Sequence, residues 1–288
     1  MRLLVVDADR GRPWRTVEQA QRITRLGEGL AASGHLGEAA MRRTAEAVAE
    51  YAARASRLGA RPVLIVATSA MREAENGRAF AARLESGTGH PVRIIPGDEE
   101  ARIALRGVLH GLDRIAGTVV VFDIGGGSTE FIRARAGRLE AAVSLRLGVV
   151  PLAEAAGADD ETRRHVAARL RRELPPEIRD ARAEELIGTA GTVTTLAALD
   201  QGLTAYDWTR VDRYRLTRAA VERQRARLAP LSVAEIAGLP CLEPGRADII
   251  RPGIAITLAV MEVLGADSLI VSESGLREGI LAEALEQI

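Results

Sequence analysis

The stretch Val119–Phe131, VVVFDIGGGSTEF, constrains this chain more than any other, because it sets one carboxylate, three glycines and two hydroxyls at the end of a buried strand. Val119 to Phe122 is a continuous apolar run of the kind that fills an interior strand, and it stops at Asp123. Gly125, Gly126 and Gly127 give a turn without Cβ atoms, so backbone N–H groups can come close to an anion. Asp123 repels a phosphate unless a divalent cation stands between the two. Ser128 and Thr129 add hydroxyl donors. Beyond the glycines, Thr129, Phe131, Arg133 and Arg135 alternate with Glu130, Ile132 and Ala134 until Gly137, which is strand spacing. A Walker loop or a dinucleotide fingerprint needs a helix directly after its glycines, and neither GxxxxGK[ST] nor GxGxxG occurs. The unit reads as strand, tight glycine turn and return strand. A phosphate and metal site is the functional reading; an ordinary hairpin turn is the plainer one.

A second stretch with chemical content is LIGTAGT, Leu186 to Thr192, followed by Val193 to Leu199. Here a strand runs through small residues into a helix whose first turn carries Thr192, Thr194 and Thr195. Free N–H groups and the dipole at such a helix start stabilise an anion. Tight strand-to-helix packing around Gly191 is the alternative. Asp98, Glu99 and Glu100 stand together before a helical run from Ala101 to Leu109. Acids in a first turn complement the helix dipole, and one of them could also serve as a general base aimed at water.

All 39 basic residues are arginine, so a P-loop or Schiff-base lysine is excluded. A net charge of zero gives no global attraction to nucleic acid or an anionic membrane. The single cysteine, Cys241, rules out a disulfide framework and a cysteine metal site, and a reducing cytoplasm is the expected compartment. No secretory leader pattern opens the chain and no apolar run has the length of a membrane span; Ile254 to Leu264 reads as a buried helix.

Taken in order, the sequence predicts a hairpin from the opening RLLVVDAD and Trp14 to Leu26, with its turn at Arg10 to Pro13. A long amphipathic helix follows between Gly37 and Gly59. Strand Pro62 to Ala67 leads to helices capped by Thr68-Ser69 and Asn76, then to strand Pro91 to Ile95. After the connection Gly111 to Gly117 come strand Leu139 to Leu147 and helix Asp160 to Leu174. That helix carries Arg163, Arg164, Arg169, Arg171 and Arg172, which form either a solvated face or a polyanion grip. Further helices are expected at Leu216 to Leu228 and Ile249 to Gly265, with strand Ser268 to Ser272 after them. Arg246 and Asp248 read as a structural ion pair at a helix start. Strand and helix elements recur on both sides of residue 113, so the expected domains are 1–112 and 113–288.

The segments DIGGGSTE (Asp123 to Glu130), GTAGTVTTLAAL (Gly188 to Leu199), ATSAMREAEN (Ala67 to Asn76) and PGDEEAR (Pro96 to Arg102) resemble the exopolyphosphatase and guanosine pentaphosphate phosphohydrolase family. So do ITRLGEGL (Ile23 to Leu30), PGRADII (Pro244 to Ile250) and SESGLREGI (Ser272 to Ile280). They stand in the family's order and cover essentially the whole chain. The resemblance implies an α/β protein with two duplicated domains of the actin, Hsp70 and sugar-kinase type, ribonuclease H-like, around a central cleft. It implies a Mg²⁺-dependent phosphatase that takes terminal phosphate from polyphosphate, guanosine pentaphosphate or both. Glu100 would activate the attacking water, Asp123 would hold the metal, and Gly125, Gly126, Gly127 and Ser128 would cradle phosphate, with Gly191 and Thr192 as the second phosphate turn. Glu130 would assist at the metal or water, and Arg72 would neutralise charge on the transferred phosphoryl group. Such a transition state asks for positioning and charge neutralisation more than covalent catalysis. A homodimer is implied as well, and the zero net charge leaves no nucleic acid or membrane partner expected.

One departure stands out. The family opens with a strand and a phosphate loop of the form DxGxNS directly before the segment that here reads Arg2-Leu3-Leu4-Val5. Without that strand, a gap with unpaired backbone groups is expected in the first sheet, and a start placed downstream of the natural one is the expected cause. The fold is expected to withstand this and activity to suffer. A superfamily kinase acting with ATP, and a protein that binds polyphosphate or guanosine nucleotides without turnover, are the competing functions.

Overall fold

A computed structural model describes residues 1–9, 13–112, 117–155 and 160–286. The chain packs as two units, residues 1–100 together with the chain end from Glu283, and Ala101–Ala282. The boundary expected near residue 113, and the turn at Arg10 to Arg12, lie outside the described residues.

The first unit contains β1 (Arg2–Asp7), β2 (Arg15–Gln21), α1 (Leu30–Ser33), α2 (Glu38–Arg57), β3 (Ile65–Ala67), α3 (Ser69–Glu73), α4 (Gly77–Thr88), β4 (Val92–Ile94) and the start of α5 (Gly97–Gly111). The expected hairpin forms: β1 and β2 pair antiparallel, with a bulge between Val5 and Val6. β2 stops short of Leu26, where Arg25 takes a left-handed φ of 51° that no strand continues. β3 and β4 pair parallel, and the two ladders are separate two-stranded sheets rather than one. Leu64, leading into β3, is 47% exposed, a strand-entry leucine with no layer over it. The unit's core is built by Leu36, Met41, Val48, Met71, Phe80 and Leu84, and the amphipathic stripe of α2 supplies its central positions. Thr68 and Asn76 occupy the cap positions of α3 and α4, but neither side chain makes the cap bond. Asn76 instead brackets Leu36, accepting from its N–H at 2.9 Å and donating to its carbonyl at 3.0 Å. An amide carries the acceptor and the donor on separate atoms, so it satisfies both groups of the passing chain.

The second unit adds β5 (Thr118–Ile124), β6 (Thr129–Arg135), β7 (Arg138–Leu145), α6 (Val149–Glu154), α7 (Asp160–Glu173), α8 (Pro176–Arg179), β8 (Glu185–Thr189), α9 (Ala190–Asp200), α10 (Trp208–Val211), β9 (Arg215–Thr217), α11 (Arg218–Leu228), α12 (Val233–Ala237), α13 (Ile250–Val263), β10 (Ser268–Ser272) and α14 (Leu276–Glu286). Its six strands run in the order β7-β6-β5-β8-β10-β9, with β5, β8 and β10 parallel at the centre. The unbroken apolar run of β5 follows from burial on both faces. Val119 and Val121 pack with Ala101, Ala104, Leu105 and Val108 of α5, while Val120, Phe122 and Ile124 join the larger core with Leu196 and Ile254. α5 and α14 touch backbone to backbone. A Cβ on Gly107 would lie 1.8 Å from the Gly275 carbonyl oxygen, and one on Gly279 would lie 1.9 Å from that of Ile103.

Four of the five α7 arginines named from the sequence are held by acids, and Arg164 meets only the Asp160 carbonyl, at 3.3 Å. Arg163 reaches Asp160, Glu222 and Glu262, Arg171 meets Glu262 at 2.6 Å, and Arg169 and Arg172 both meet Glu173. Burial holds the Asp212 carboxyl above the usual carboxylate range, with the Glu278 charge adding to it, although the N–H groups of Glu273 and Arg213 oppose the shift. A folded pKa raised above the unfolded value gives stability that is fully present below about pH 4 and lost as pH rises through the folded pKa. Asp212→Asn keeps an acceptor for the Glu273 N–H, so its melting temperature should exceed that of the parent at pH 7–8. The difference should vanish below about pH 4, as scanning calorimetry across pH would show.

Candidate active site

Asp123 is the half-buried residue next to the end of β5, and after Ile124 the chain turns through Gly125 to Gly127 into β6. The Gly125 N–H closes the turn on the Ser128 carbonyl at 2.9 Å. From the other side, Val149 and Val150 at the start of α6 donate to the carbonyls of Gly125 and Gly126, at 3.2 and 2.9 Å. Those carbonyls are thereby turned inward, and among the described residues the N–H groups of Gly126 and Gly127 have no partner. Gly148 makes this docking possible: a Cβ there would lie 2.2 Å from the Gly126 carbonyl oxygen. Two adjacent N–H groups free of acceptors, without side chains above them, are an anion cradle.

The sheet register then brings further polar groups alongside. Ser144, Glu130, Asp123, Thr189 and Ser272 stand opposite one another across β7, β6, β5, β8 and β10. Residues in register share a face, so these side chains form one polar row above the apolar residues that meet α5. Glu130, 3% exposed, accepts on a single oxygen from Ser128 and Ser144, both at 2.7 Å. Thr189 donates to the Ser274 carbonyl at 3.1 Å, and so does Ser272 at 2.8 Å. This fixes the turn at Gly275, where a Cβ would come within 3.9 Å of the Asp123 Oδ2. Glu130 is thus a buried, doubly held carboxylate one strand away from the half-buried Asp123.

Directly after Thr189 lies the second turn. Ala190 has a φ of 70°, a left-handed residue that swings the chain from strand into α9. The hydroxyls of Thr194 and Thr195 turn back onto the Gly191 carbonyl, at 3.4 and 2.7 Å, and are taken up there. Thr192 donates to no other described residue. Gly191 is covered by a residue that sequence reasoning assigned elsewhere: its Cβ would lie 1.6 Å from Nη1 of Arg246. Arg246 is steadied by Glu243 at 3.4 Å, so its guanidinium lies across the start of α9 rather than serving only as the helix-start ion pair expected with Asp248. The PGRADII resemblance pointed at the segment, but no local pattern ties an arginine to a glycine so far away in the chain.

In the first unit, Arg72 at the end of α3 donates through Nη1 to Glu100 at 2.9 Å and to the Ile95 carbonyl at 2.8 Å. Glu100 is 7% exposed, in the first turn of α5. The three adjacent acids therefore part: Glu99 pairs with Arg93 near the surface, and Glu100 is turned inward onto Arg72. The geometry thus gathers Asp123, Gly125 to Gly127, Ser128, Glu130, Gly191 and Thr192 within the second unit, and separately joins Arg72 to Glu100 within the first.

For Mg²⁺ the donor set fits one mode of binding. Among the described residues no group of three or more His, Cys, Asp or Glu is assembled as a cage. Mg²⁺ usually keeps several waters and is bound through one or two carboxylates and substrate phosphates. Asp123 beside an anion-ready glycine turn matches that arrangement. Among the described residues no helix is long and apolar enough to cross a membrane.

Residues 4–288 match the family model described as the Ppx/GppA phosphatase family. The chain is 34% identical over 299 residues to a Mycobacterium tuberculosis protein named exopolyphosphatase 2, covering 97% of this chain and 93% of that protein. It is 31% identical over 289 residues to a Photobacterium profundum guanosine-5′-triphosphate,3′-diphosphate pyrophosphatase, of which it spans 55%. The crystal structure of the Aquifex aeolicus Ppx/GppA family member superposes with a TM-score of 0.81 at 30% identity, covering 99% of this chain and 94% of that one. These likenesses and the actin-like α/β architecture agree with the resemblance read from the motifs: the chain belongs to the Ppx/GppA phosphatase family.

Proposed function

We propose that this chain is a Mg²⁺-dependent phosphohydrolase that releases terminal phosphate from inorganic polyphosphate, guanosine pentaphosphate or both. The observation that carries this reading is the glycine turn, with two unused N–H groups beside Asp123 and Glu130. Water attacks the terminal phosphorus, the bond to the bridging oxygen breaks, and inorganic phosphate and the shortened chain leave. Glu100 takes the proton from the water. Arg72 orients that carboxylate through Nη1, and its remaining N–H groups face no other described partner, which leaves them for phosphoryl oxygens. Gly125, Gly126, Gly127 and Ser128 hold the phosphate, and Gly191 and Thr192 hold the next one. Glu130 is kept in place by its two serines to assist at Asp123. When bound at Asp123, Mg²⁺ supplies charge neutralisation for the phosphoryl oxygens.

The roles divide between domains 1–112 and 113–288 of a cytoplasmic homodimer. Inorganic phosphate should appear when polyphosphate and Mg²⁺ are supplied without any nucleotide, and chelation by EDTA should stop its release. The alternative is a protein that binds polyphosphate or guanosine nucleotides without turnover. Saturable polyphosphate binding with no phosphate released would select it.

A further inference from the structure

The loop between β10 and α14 passes Asp123 with little room around it. A Cβ on Gly111, the last residue of α5, would lie 2.6 Å from the Ser274 Oγ, and the Gly275 carbonyl oxygen is equally close to Gly107. A Cβ on Gly275 itself would meet Thr189 Oγ1 at 3.1 Å and Asp123 Oδ2 at 3.9 Å. With no side chain at this point, hydrogen bonds set the attitude of the Ser274–Gly275 peptide. Its carbonyl accepts from Thr189 at 3.1 Å and from Ser272 at 2.8 Å. Its N–H donates to Oε2 of Glu278 at 2.9 Å. Two residues earlier in the loop, the Glu273 N–H is held in the same way by the Asp212 carboxylate.

Glu278 is the third residue of α14 and accepts from the N–H just before the helix, as the glutamate of a capping box does. That role alone does not call for burial, since the same bond forms at a surface. Yet Glu278 is 7% exposed, with its second oxygen, Oε1, taken by Nε and Nη2 of Arg277 at 2.8 and 2.7 Å. Removing a carboxylate from water is costly, and what it secures here is an acceptor of fixed place for the Gly275 N–H. We infer that Glu278 is a positioning residue for the cation at Asp123: it holds the Ser274–Gly275 peptide, which in turn commits the Thr189 hydroxyl. The inference rests on the metal-dependent phosphatase reading and adds to it a residue to which that reading gives no part. Thr189 has one proton to give, and the Ser274 carbonyl takes it. Thr189 is also the register partner of Asp123 across β5 and β8. Should the peptide turn, that proton is released beside the Asp123 carboxylate, where a donated hydrogen bond competes with a cation.

The test uses the full chain with Mn²⁺ in place of Mg²⁺ and inorganic phosphate present, binding being followed by loss of the free-ion EPR signal. Glu278→Ala should weaken Mn²⁺ binding about 10- to 100-fold, the usual effect of losing an outer partner that orients a metal ligand. The Mg²⁺ concentration for half-maximal phosphate release should rise by a similar factor. Glu278→Gln keeps an acceptor within reach of the Gly275 N–H and should recover most of the affinity. Glu278→Asp keeps the charge beside Arg277 but draws the acceptor back by one methylene, so it should bind Mn²⁺ weakly; it also keeps the test open if the alanine variant does not fold. The reverse order, with Asp like the parent and Gln weak, would assign the effect to charge and overturn the inference. A lowered melting temperature with unchanged Mn²⁺ affinity in the folded variants would reduce Glu278 to a helix cap and overturn it as well, while phosphate release by the parent leaves the phosphatase reading standing. A parent chain that binds no Mn²⁺ and releases no phosphate overturns that reading, and the role of Glu278 with it.

Discussion

Replacing Glu100 by Gln should lower phosphate release by roughly 100- to 10,000-fold, the usual contribution of a positioned general base, while the protein stays folded. The side chain is nearly isosteric, and its amide oxygen can still accept from Nη1 of Arg72, which also keeps its bond to the Ile95 carbonyl. Exchanging a charged for a neutral acceptor costs about 1 kcal/mol of stability, a loss that a urea melt resolves from unfolding. Substrate binding should persist, because glutamine removes a proton acceptor and leaves the glycine turn untouched. A Glu100→Gln protein with full activity would remove Glu100 from the mechanism. Retained folding with lost turnover, together with an unchanged dissociation constant for polyphosphate, would place the loss in the chemical step.

The second large effect is expected at Gly191. An alanine there puts its Cβ where Nη1 of Arg246 lies, 1.6 Å away, so the guanidinium must leave. It can do so cheaply, being the far end of a flexible side chain. Gly191 does not carry a left-handed φ, and glycine inside a helix is about 1 kcal/mol worse than alanine. Stability should therefore hold or rise slightly. If the guanidinium across the α9 start serves the second phosphate held by Gly191 and Thr192, activity should fall roughly 100- to 1,000-fold, the scale of losing one charge-stabilising donor. Arg246→Ala should show a similar loss, and the double variant should be no worse than either alone, since both changes remove the same group. Full activity in Gly191→Ala would mean that Arg246 only packs against the α9 start.

Much of this site can be read in the sequence because its chemistry is local. Asp123, the three glycines, Ser128 and Glu130 are neighbours along the chain, and a strand-turn-strand pattern fixes their order and which face each shares. β5, α2 and α13 were equally legible, since each declares its burial by an unbroken apolar run or a clear stripe. Short elements were not. β9 is three residues long and α6 six, too short for a period to emerge, and both exist because longer neighbours hold them. Asn76 shows another limit: its residue type suits a helix cap, but the passing backbone of Leu36 competes for the same amide and wins it. Arg246 was missed because its position depends on a contact across the fold: the PGRADII resemblance marks its segment, and no local pattern ties it to Gly191.

Ser144 lies on β7, the outermost strand of the six-stranded sheet, yet its hydroxyl ends on the Glu130 carboxylate. A border strand presents open peptide groups to any extended segment that comes alongside. Whatever zips onto that border, or bends it, would turn Ser144 and with it one of the two donors that hold Glu130. The border of this sheet is in this way connected to the carboxylate beside Asp123.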